Sequence, residues 1–243
     1  MTGAGAVDRI DVEELSVSYG GLQALTDVSL QVRRGQVVGV VGPNGGGKST
    51  LVRTVMGLLA PQRGRVLVAG AAGRPDPRRL AYVPQQATPD PLFPAVVGEV
   101  VGMGRYPHLG MWRRSGPADR EAVAEARERT GLADLAGRSV AELSGGQQRR
   151  VAIARALAQQ ADFVLLDEPF AGLDAPTEQD LRGVIAGLAA DGAGVLLVNH
   201  DLGAVAQDCD HVLLLRRTVQ AAGPPSAVLQ PATVAAASGM GER

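Results

Sequence analysis

The sequence is poor in several features that would assign it to large protein classes. Its single cysteine, Cys209, excludes an internal disulfide. Its apolar runs, such as residues 37–41, are far shorter than the about 20 residues that span a bilayer, so we expect any membrane role to be peripheral. The formal net charge of -1 gives no general basic field, and nucleic acid is therefore not expected as a partner.

We do not expect an export signal at the beginning of the sequence. Acidic residues are concentrated in residues 8–14, where a secretory leader would have a basic segment followed by an apolar one. We therefore expect the chain to stay in the reducing cytoplasm.

Lysine is almost absent from the sequence. Of the 24 lysine and arginine residues, 23 are arginine, and the single lysine is Lys48. A compact ammonium and a broad guanidinium fork are not interchangeable. The one lysine therefore indicates a position that needs a point charge.

The apolar patterning predicts an α/β fold, and 243 residues suit one domain with an inserted lobe. Residues 10–32 alternate apolar and polar side chains around Gly20-Gly21, which predicts antiparallel strands. Short apolar runs typical of buried strands follow at residues 37–41, 66–68, 81–83, 163–166 and 195–198. Helices are predicted at residues 50–59 and 177–190. Residues 117–160 look helical, with good helix formers at residues 121–130 and 145–159 and with Ser144 where an N-cap would stand. This alternation implies a mainly parallel core sheet, while the prolines of residues 84–94 interrupt regular structure.

The strongest motif is a phosphate-loop pattern, which consists of Gly42, Pro43, Asn44, Gly45, Gly46, Gly47, Lys48 and Ser49. A predicted strand precedes it and a predicted helix, beginning at Thr50, follows it. The glycines let backbone N–H groups turn towards phosphate oxygens, and the helix dipole favours the same anion. Lys48 adds a point charge, and Ser49 can offer its hydroxyl to Mg²⁺ at the terminal phosphates of ATP. The alternative is a turn in a glycine-rich protein, and the position of the only lysine argues against it.

Two acidic residues follow the predicted strand at residues 163–166, at the edge where open α/β sheets bind ligands. Asp167 would hold Mg²⁺ through its water shell. Glu168 would point elsewhere and polarise a water for in-line attack on the γ-phosphate. Alone, the pair could be an ordinary acidic strand end; together with the phosphate loop it predicts a nucleoside triphosphatase.

A third motif begins a predicted helix, and its residues are Leu143, Ser144, Gly145, Gly146 and Gln147. It resembles the signature sequence of ATP-binding cassette proteins, and the resemblance covers nearly the whole chain. The resemblance implies a P-loop NTPase fold with a mainly parallel core sheet, an antiparallel β subdomain and an inserted α-helical subdomain. Residues 1–86 and 161–243 would form the nucleotide-binding core, and residues 87–160 the helical signature subdomain.

Further site residues are implied by the resemblance. Tyr19 is similar to the aromatic that stacks on adenine, and Asp174 to the D-loop aspartate that helps bind nucleotide. His200 is similar to the switch histidine, which would join Glu168 and Lys48 in catalysis. By residue type alone, Tyr19 could be an ordinary strand aromatic and His200 a strand-end histidine.

The resemblance also implies a catalytic and Mg²⁺-binding role for Gln85, which matches the Q-loop glutamine. The neighbouring Gln86 is the alternative, and the lead-in Tyr82-Val83-Pro84 favours Gln85. Two substitutions depart from the common family pattern. Gly46 stands where alanine or serine is more usual, and Asn199 precedes His200 where threonine or serine is frequent, but neither change removes a catalytic group.

The family resemblance implies partners as well as ligands. Two copies would sandwich ATP and Mg²⁺ head to tail, with Ser144 and the amides of Gly145 and Gly146 approaching the γ-phosphate held by Lys48 of the other copy. A lone cassette also implies separate integral membrane permease subunits and, indirectly, an extracytoplasmic substrate-binding protein, with this chain on the cytoplasmic face of the membrane. Residues 87–115 would contribute to the permease groove, with Phe93 and Trp112 as interface anchors or local core residues.

Two strings, at residues 104–110 and 170–174, look like the branch that imports manganese, zinc or iron. Importers of iron-siderophore and vitamin B12 share much of the first string, so another cargo, or export, stays open. A soluble cassette ATPase of DNA repair, chromosome structure or translation is disfavoured because each motif occurs once. The signature argues against an unrelated phosphate-loop kinase or GTPase.

Overall fold

The structure is a computed structural model that describes residues 8–85, 95–109 and 113–238. Its strands are β1 (Arg9–Tyr19), β2 (Leu22–Arg33), β3 (Val37–Val41), β4 (Arg63–Val68), β5 (Ala71–Ala72), β6 (Leu80–Val83), β7 (Phe163–Asp167), β8 (Gly194–Val198), β9 (His211–Arg216) and β10 (Thr218–Gly223). Its helices are α1 (Lys48–Val55), α2 (Val97–Gly102), α3 (Tyr106–Leu109), α4 (Pro117–Arg129), α5 (Gly145–Gln159), α6 (Ala175–Ala190), α7 (Leu202–Asp208), α8 (Pro225–Val228) and α9 (Pro231–Ser238).

The core is a sheet of six strands in the order β10-β9-β3-β8-β7-β6. All neighbours are parallel except β10, which pairs antiparallel with β9 at one edge. Strands β3, β7 and β8 are buried along their whole length, which explains why they read as continuous apolar runs. The predicted α/β class with a mainly parallel core sheet is confirmed.

A second, antiparallel sheet has the order β2-β1-β4-β5, and β1 turns into β2 at Gly20-Gly21 as predicted. This sheet and α1 cover one face of the core sheet, where Val38 and Val40 of β3 are buried. Helices α2, α5 and α6 pack on the other face, with Val37 and Val41. The alternating side chains of one central strand therefore hold both layers together.

The strand order determines where the sequence motifs meet. Val40 of β3 pairs with Val198 of β8, and Val198 also pairs with Asp167 of β7. Val83 of β6 pairs with Leu166 of β7. Because these strands are parallel, the segments that follow them emerge at one edge of the sheet, where open α/β sheets bind ligands.

Two predicted helices differ from the observed ones. The helix predicted from residue 50 begins at Lys48, after Gly47 in a left-handed conformation with φ 99°, and ends at Val55, before Gly57 with φ 66°. In the helical region predicted at residues 117–160, the segments 121–130 and 145–159 correspond to α4 and α5, and the residues between these two helices are not α-helical. There α4 ends at a left-handed Gly131, and the N–H of Leu132 donates to Arg127 O at 2.8 Å, which closes the helix end.

The strands predicted at residues 66–68, 81–83, 163–166 and 195–198 are present with slightly wider bounds, and the helix predicted at 177–190 begins at Ala175. The proline-rich stretch at 84–94, like Gln86, Phe93 and Trp112, lies largely or wholly outside the described residues. Across the ranges that the structure describes, every helix falls short of the length and apolar composition needed to cross a bilayer.

Candidate functional site

The phosphate loop joins β3 to α1 and is closely packed against the end of β9. A Cβ atom added at Gly42 would lie 2.0 Å from the carbonyl oxygen of Leu215. A Cβ added at Gly47 would lie 2.4 Å from Leu25 Cδ2, and the φ of 99° at Gly47 also disfavours other residues. Both glycines are therefore required by the shape of the loop itself.

The side chain of Lys48 is held inside this loop. The residue is 7% exposed, and its Nζ donates to Gly42 O at 2.8 Å and to Pro43 O at 3.1 Å. Burial lowers the pKa of the Lys48 ammonium, while the Glu168 and Asp167 carboxylates raise it. The ammonium of the one lysine in the chain is thus partly desolvated and lies beside two acids. Because little water reaches this ammonium, water would screen its attraction for a bound phosphate only weakly.

The acid pair follows the end of β7. Asp167 is 7% exposed, and burial, followed by the charge of Glu168, raises the pKa of its carboxyl. Glu168 has a left-handed backbone with φ 48°, which is uncommon for a residue other than glycine. Its N–H donates to Val198 O at 2.8 Å, so β8 holds the chain as it turns away from the sheet.

The sequence assigned Glu168, Gln85 and His200 to catalysis, and the structure places Gln85 and His200 next to Glu168. Gln85 Nε2 donates to Glu168 Oε2 at 2.5 Å. His200 Nδ1 lies 3.6 Å from Glu168 Oε1, and the His200 side chain is 62% exposed. The loops after β6, β7 and β8 therefore place an amide and an imidazole beside the carboxylate that would activate water.

Gln85 and Glu168, with Lys48, line one cavity of about 470 Å³ at the sheet edge, and His200 is not part of its lining. Its walls come from the turn after β1, the phosphate loop, the start of α1 and the acid pair: they comprise Tyr19, Leu22, Gln23, Ala24, Asn44, Gly45, Gly46, Gly47, Lys48, Ser49, Thr50, Gln85, Asp167, Glu168 and Arg217. Tyr19 and Leu22 are 43% and 64% exposed and offer an apolar surface at one end of the cavity. An apolar end and a cationic, amide-rich end suit a nucleotide.

Sequence reasoning missed some residues at this site. Arg217 lines the cavity from the turn between β9 and β10, and its N–H donates to Gly46 O at 2.8 Å. Burial and then the charge of nearby Asp167 raise the pKa of the Tyr82 hydroxyl, and Arg149 of α5 contacts the acid-pair backbone. The β9–β10 hairpin was not predicted, so no sequence signal marked Arg217.

The structure explains why glycine, and not the more usual alanine or serine, stands at position 46. A Cβ there would lie 2.9 Å from the carbonyl oxygens of both Pro43 and Leu215, so the loop closes tightly around a residue without a side chain.

The signature residues begin α5, outside the cavity. Ser144 is the N-cap: Gln147 N–H donates to Ser144 Oγ at 3.3 Å, and Ser144 N–H donates to Gln147 Oε1 at 3.0 Å. Within the described ranges, residues 144–147 do not line the cavity that contains Lys48. Asp174 caps α6 in a similar way, because its Oδ1 accepts the Thr177 N–H at 2.8 Å.

The oxygen atoms at and beside the acid pair are suitable ligands for Mg²⁺. Carboxylate and hydroxyl oxygens are the ligands this ion prefers, and Asp167 and Ser49 both line the cavity. The raised pKa of Asp167 shows that burial disfavours its charged form, which a divalent cation would stabilise. A nucleotide phosphate would supply the remaining negative oxygens.

Comparison with known proteins agrees with this chemistry. Residues 25–171 match the family model described as ABC transporter. The chain is 41% identical over 215 residues to the manganese transport system ATP-binding protein MntB of Bacillus subtilis, a match covering 88% of this chain and 86% of that protein. It is 43% identical over 214 residues to the zinc transport system ATP-binding protein TroB of Treponema pallidum, covering 88% and 80%. A solved ATP-binding cassette of an ABC transporter in its ADP conformation has a TM-score of 0.82 and 28% identity, covering 96% of this chain and 98% of that one.

Proposed function

The chain belongs to the ABC transporter family as an ATP-hydrolysing, ATP-binding subunit, and on that premise we propose that it powers the import of metal ions. The observation that carries the proposal is the single cavity in which the phosphate loop, Lys48 and Glu168 meet. Its relatives for manganese and zinc transport support the cargo class. The sequence resemblance also extends to iron importers, so iron belongs to the same proposal.

We propose that ATP lies along this cavity with its base against Tyr19 and its phosphates in the loop at residues 42–49. Lys48 and the loop amides stabilise the negative charge of the β- and γ-phosphates. Ser49, Asp167 and Gln85 would hold Mg²⁺, which neutralises charge on the terminal phosphates.

Glu168 is the proposed general base for the attacking water. Its carboxylate accepts a hydrogen bond from Gln85 Nε2 and lies near His200 Nδ1, so its orientation is set from both sides. His200 would sense the γ-phosphate, because it is exposed and can reach a group beyond Glu168. Water attack then gives ADP and phosphate.

The catalytic unit is proposed to be a head-to-tail pair of chains. Ser144, Gly145 and Gly146 begin a helix whose amides can bind an anion, yet they lie away from the cavity of their own chain. A second copy would bring these residues to the γ-phosphate held by Lys48. Asp174, at the start of α6, would lie beside the same interface.

Transport requires partners that bring the cargo across the membrane. We propose that residues 1–86 and 161–243 form the nucleotide-binding core, and that residues 87–160 form a helical signature subdomain that docks on integral membrane permease subunits. The chain would thus be peripheral, on the cytoplasmic face of the membrane. An extracytoplasmic substrate-binding protein would deliver cargo to the permease.

The cargo is tested by measuring cellular manganese, zinc and iron after deletion of the gene. We expect one metal to fall under metal limitation, to recover with the wild-type gene and to stay low with the Lys48→Ala gene. Siderophore-bound iron and vitamin B12 uptake are measured in parallel, because those importers share one sequence string. An unchanged profile for all three metals would contradict the proposed cargo.

A further inference from the structure

Arg149 has an unusual set of partners. Its five guanidinium N–H groups meet five backbone carbonyls and no side chain. Nη1 donates to Pro84 O at 2.7 Å and to Gln85 O at 2.5 Å, and Nε donates to Pro169 O at 3.1 Å. Nη2 donates to the carbonyls of Asp167 and Glu168.

The five carbonyls belong to two segments that carry the reacting groups. One segment ends at Gln85, whose amide holds the Glu168 carboxylate, and the other runs from Asp167 to Pro169. The second segment contains the left-handed Glu168, a backbone that stays in place only when its surroundings hold it. The N–H groups of Arg149 and Ala171 both donate to Glu168 O.

These contacts differ from those of an ordinary buried ion pair. Arg149 is 6% exposed, and across residues 8–85, 95–109 and 113–238 it makes no salt bridge with a carboxylate. Burial lowers the pKa of Arg149, and the charges of Asp167 and Glu168 oppose that shift. A guanidinium stays charged in proteins, so this site holds a full positive charge whose hydrogen bonds all go to backbone carbonyls, while the nearby Asp167 and Glu168 carboxylates favour that charge.

Arg149 also lies on the helix that begins at the signature. It follows Ser144 by five positions, which is about 7.5 Å along an α-helix. A shift of the α5 start would therefore move the guanidinium, and with it the carbonyls of Gln85 and Glu168. The helix is a rigid link between the surface that faces a second copy and the base that acts in its own chain.

We propose that Arg149 is a positioning residue for ATP hydrolysis, which couples the signature helix to the placement of Gln85 and Glu168. This inference rests on the proposed ATPase mechanism. In this mechanism, contact between Ser144 and the nucleotide of the partner copy fixes the position of α5. The position of α5 then fixes the geometry of the water attack through the contacts of Arg149. Arg149 itself touches no reacting atom.

The test compares Arg149→Gln and Arg149→Lys with the control Arg120→Gln. Arg120 lies on α4, is exposed, and its Nη1 donates to the Ser115 carbonyl at 3.3 Å, away from the site. Glutamine has two N–H donors and lysine three, so neither can satisfy five carbonyls. We expect both Arg149 variants to lower kcat by at least about tenfold with Kd for Mg·ATP changed less than about twofold, because positioning affects the attack and not binding. Arg120→Gln should keep wild-type kcat.

A double-mutant cycle separates positioning from general stability. If Arg149 acts through Gln85 and Glu168, Arg149→Gln should cost much less in kcat when Gln85→Ala is already present. Full additivity of the two losses, or a wild-type kcat in Arg149→Gln, would overturn the inference. Should Arg149→Gln fail to fold, Arg149→Lys carries the same cycle, since lysine keeps the apolar stem. Absence of ATPase activity in the wild-type protein would refute the proposed function instead, so the two failures are distinguishable.

Discussion

At the scale of single residues, the site depends on charges that are held partly out of water. Lys48 is buried in a loop made by glycines, where its Nζ donates to two carbonyl oxygens, and Asp167 is buried beside a second acid. Burial disfavours the charge of Lys48 and the charge of Asp167. The phosphates of Mg·ATP would supply the counter-charge for Lys48, and its Mg²⁺ would supply the counter-charge for Asp167. A site of this kind gains its binding energy from groups already fixed in place.

Replacement of Lys48 tests this view of the loop. We expect Lys48→Ala and Lys48→Arg each to lower ATPase activity by at least about a hundredfold, because the planar guanidinium cannot replace a compact ammonium in so tight a loop. Binding of Mg·ATP, followed by calorimetry, should weaken in both variants. Arg65→Ala is the control, since Arg65 is exposed and pairs with Glu13 on the second sheet. Lys48→Ala with unchanged affinity would contradict the proposed phosphate contact.

Residues in contiguous motifs could be identified from the sequence, and residues that act at a distance could not. Lys48, Asp167 and Ser144 lie in short strings whose spacing follows from one loop, one strand end and one helix start. Arg149 is two residues beyond the signature, but nothing in the sequence shows which carbonyls it reaches. Arg217 approaches the cavity from a hairpin distant in sequence. Such contacts depend on strand order, which one sequence does not state.

At the scale of elements, the strands buried on both faces were the most predictable. Continuous Val and Leu runs at β3, β7 and β8 have no equivalent in loops, and each was predicted within a residue or two. Residues 130–144 lie between the two segments of the predicted helical region that are richest in helix formers, and α4 and α5 leave them outside. The left-handed Gly131 ended α4 there.

Helix α4 begins with a buried acid that joins it to its neighbours. Asp119 Oδ2 accepts the Gly116 N–H at 2.9 Å, and Oδ1 accepts Arg105 Nε at 3.0 Å. The Gly116 amide and then Arg105 hold the pKa of Asp119 below its ordinary value. Because the folded-state pKa is depressed, the stabilisation is complete above the ordinary aspartate pKa and is lost as pH falls through the folded-state value.

Asp119→Asn should therefore lower the melting temperature at pH 7, and the difference from wild type should shrink as pH falls below about 4. Asparagine keeps the shape but loses the charge that Arg105 faces. Thermal unfolding between pH 7 and pH 3 measures this, with Asp180→Asn on the exposed side of α6 as the control. A difference that stays constant with pH would show that the charge of Asp119 is not what stabilises α4.

At the scale of the whole molecule, the residues proposed to contact the γ-phosphate lie in two separate places. The phosphate loop, acid pair and Gln85 line one cavity, whereas Ser144 and its neighbours lie at the start of α5, outside it. Neither set is complete for the γ-phosphate by itself under the proposed mechanism. The central claim is that two copies complete each other's sites, with ATP between them.

That claim predicts a specific dependence of oligomeric state on nucleotide. Glu168→Gln should slow hydrolysis by about a hundredfold or more without loss of Mg·ATP binding, since the amide cannot act as a base. The bound ATP should then persist and hold two copies together. Gly145→Asp in the same chain provides the matched control. A Cβ at Gly145 meets no atom within 4 Å, and an acid suits a helix start, so the single chain should fold normally while the carboxylate repels the partner's phosphate.

The most direct measurement is the mass of the Glu168→Gln protein by size-exclusion chromatography with light scattering, with and without Mg·ATP. The account predicts a monomer without nucleotide, a dimer with Mg·ATP, and a monomer in both conditions once Gly145→Asp is added. A Glu168→Gln protein that binds Mg·ATP and stays monomeric, or a dimer that forms equally well with Gly145→Asp, would contradict it.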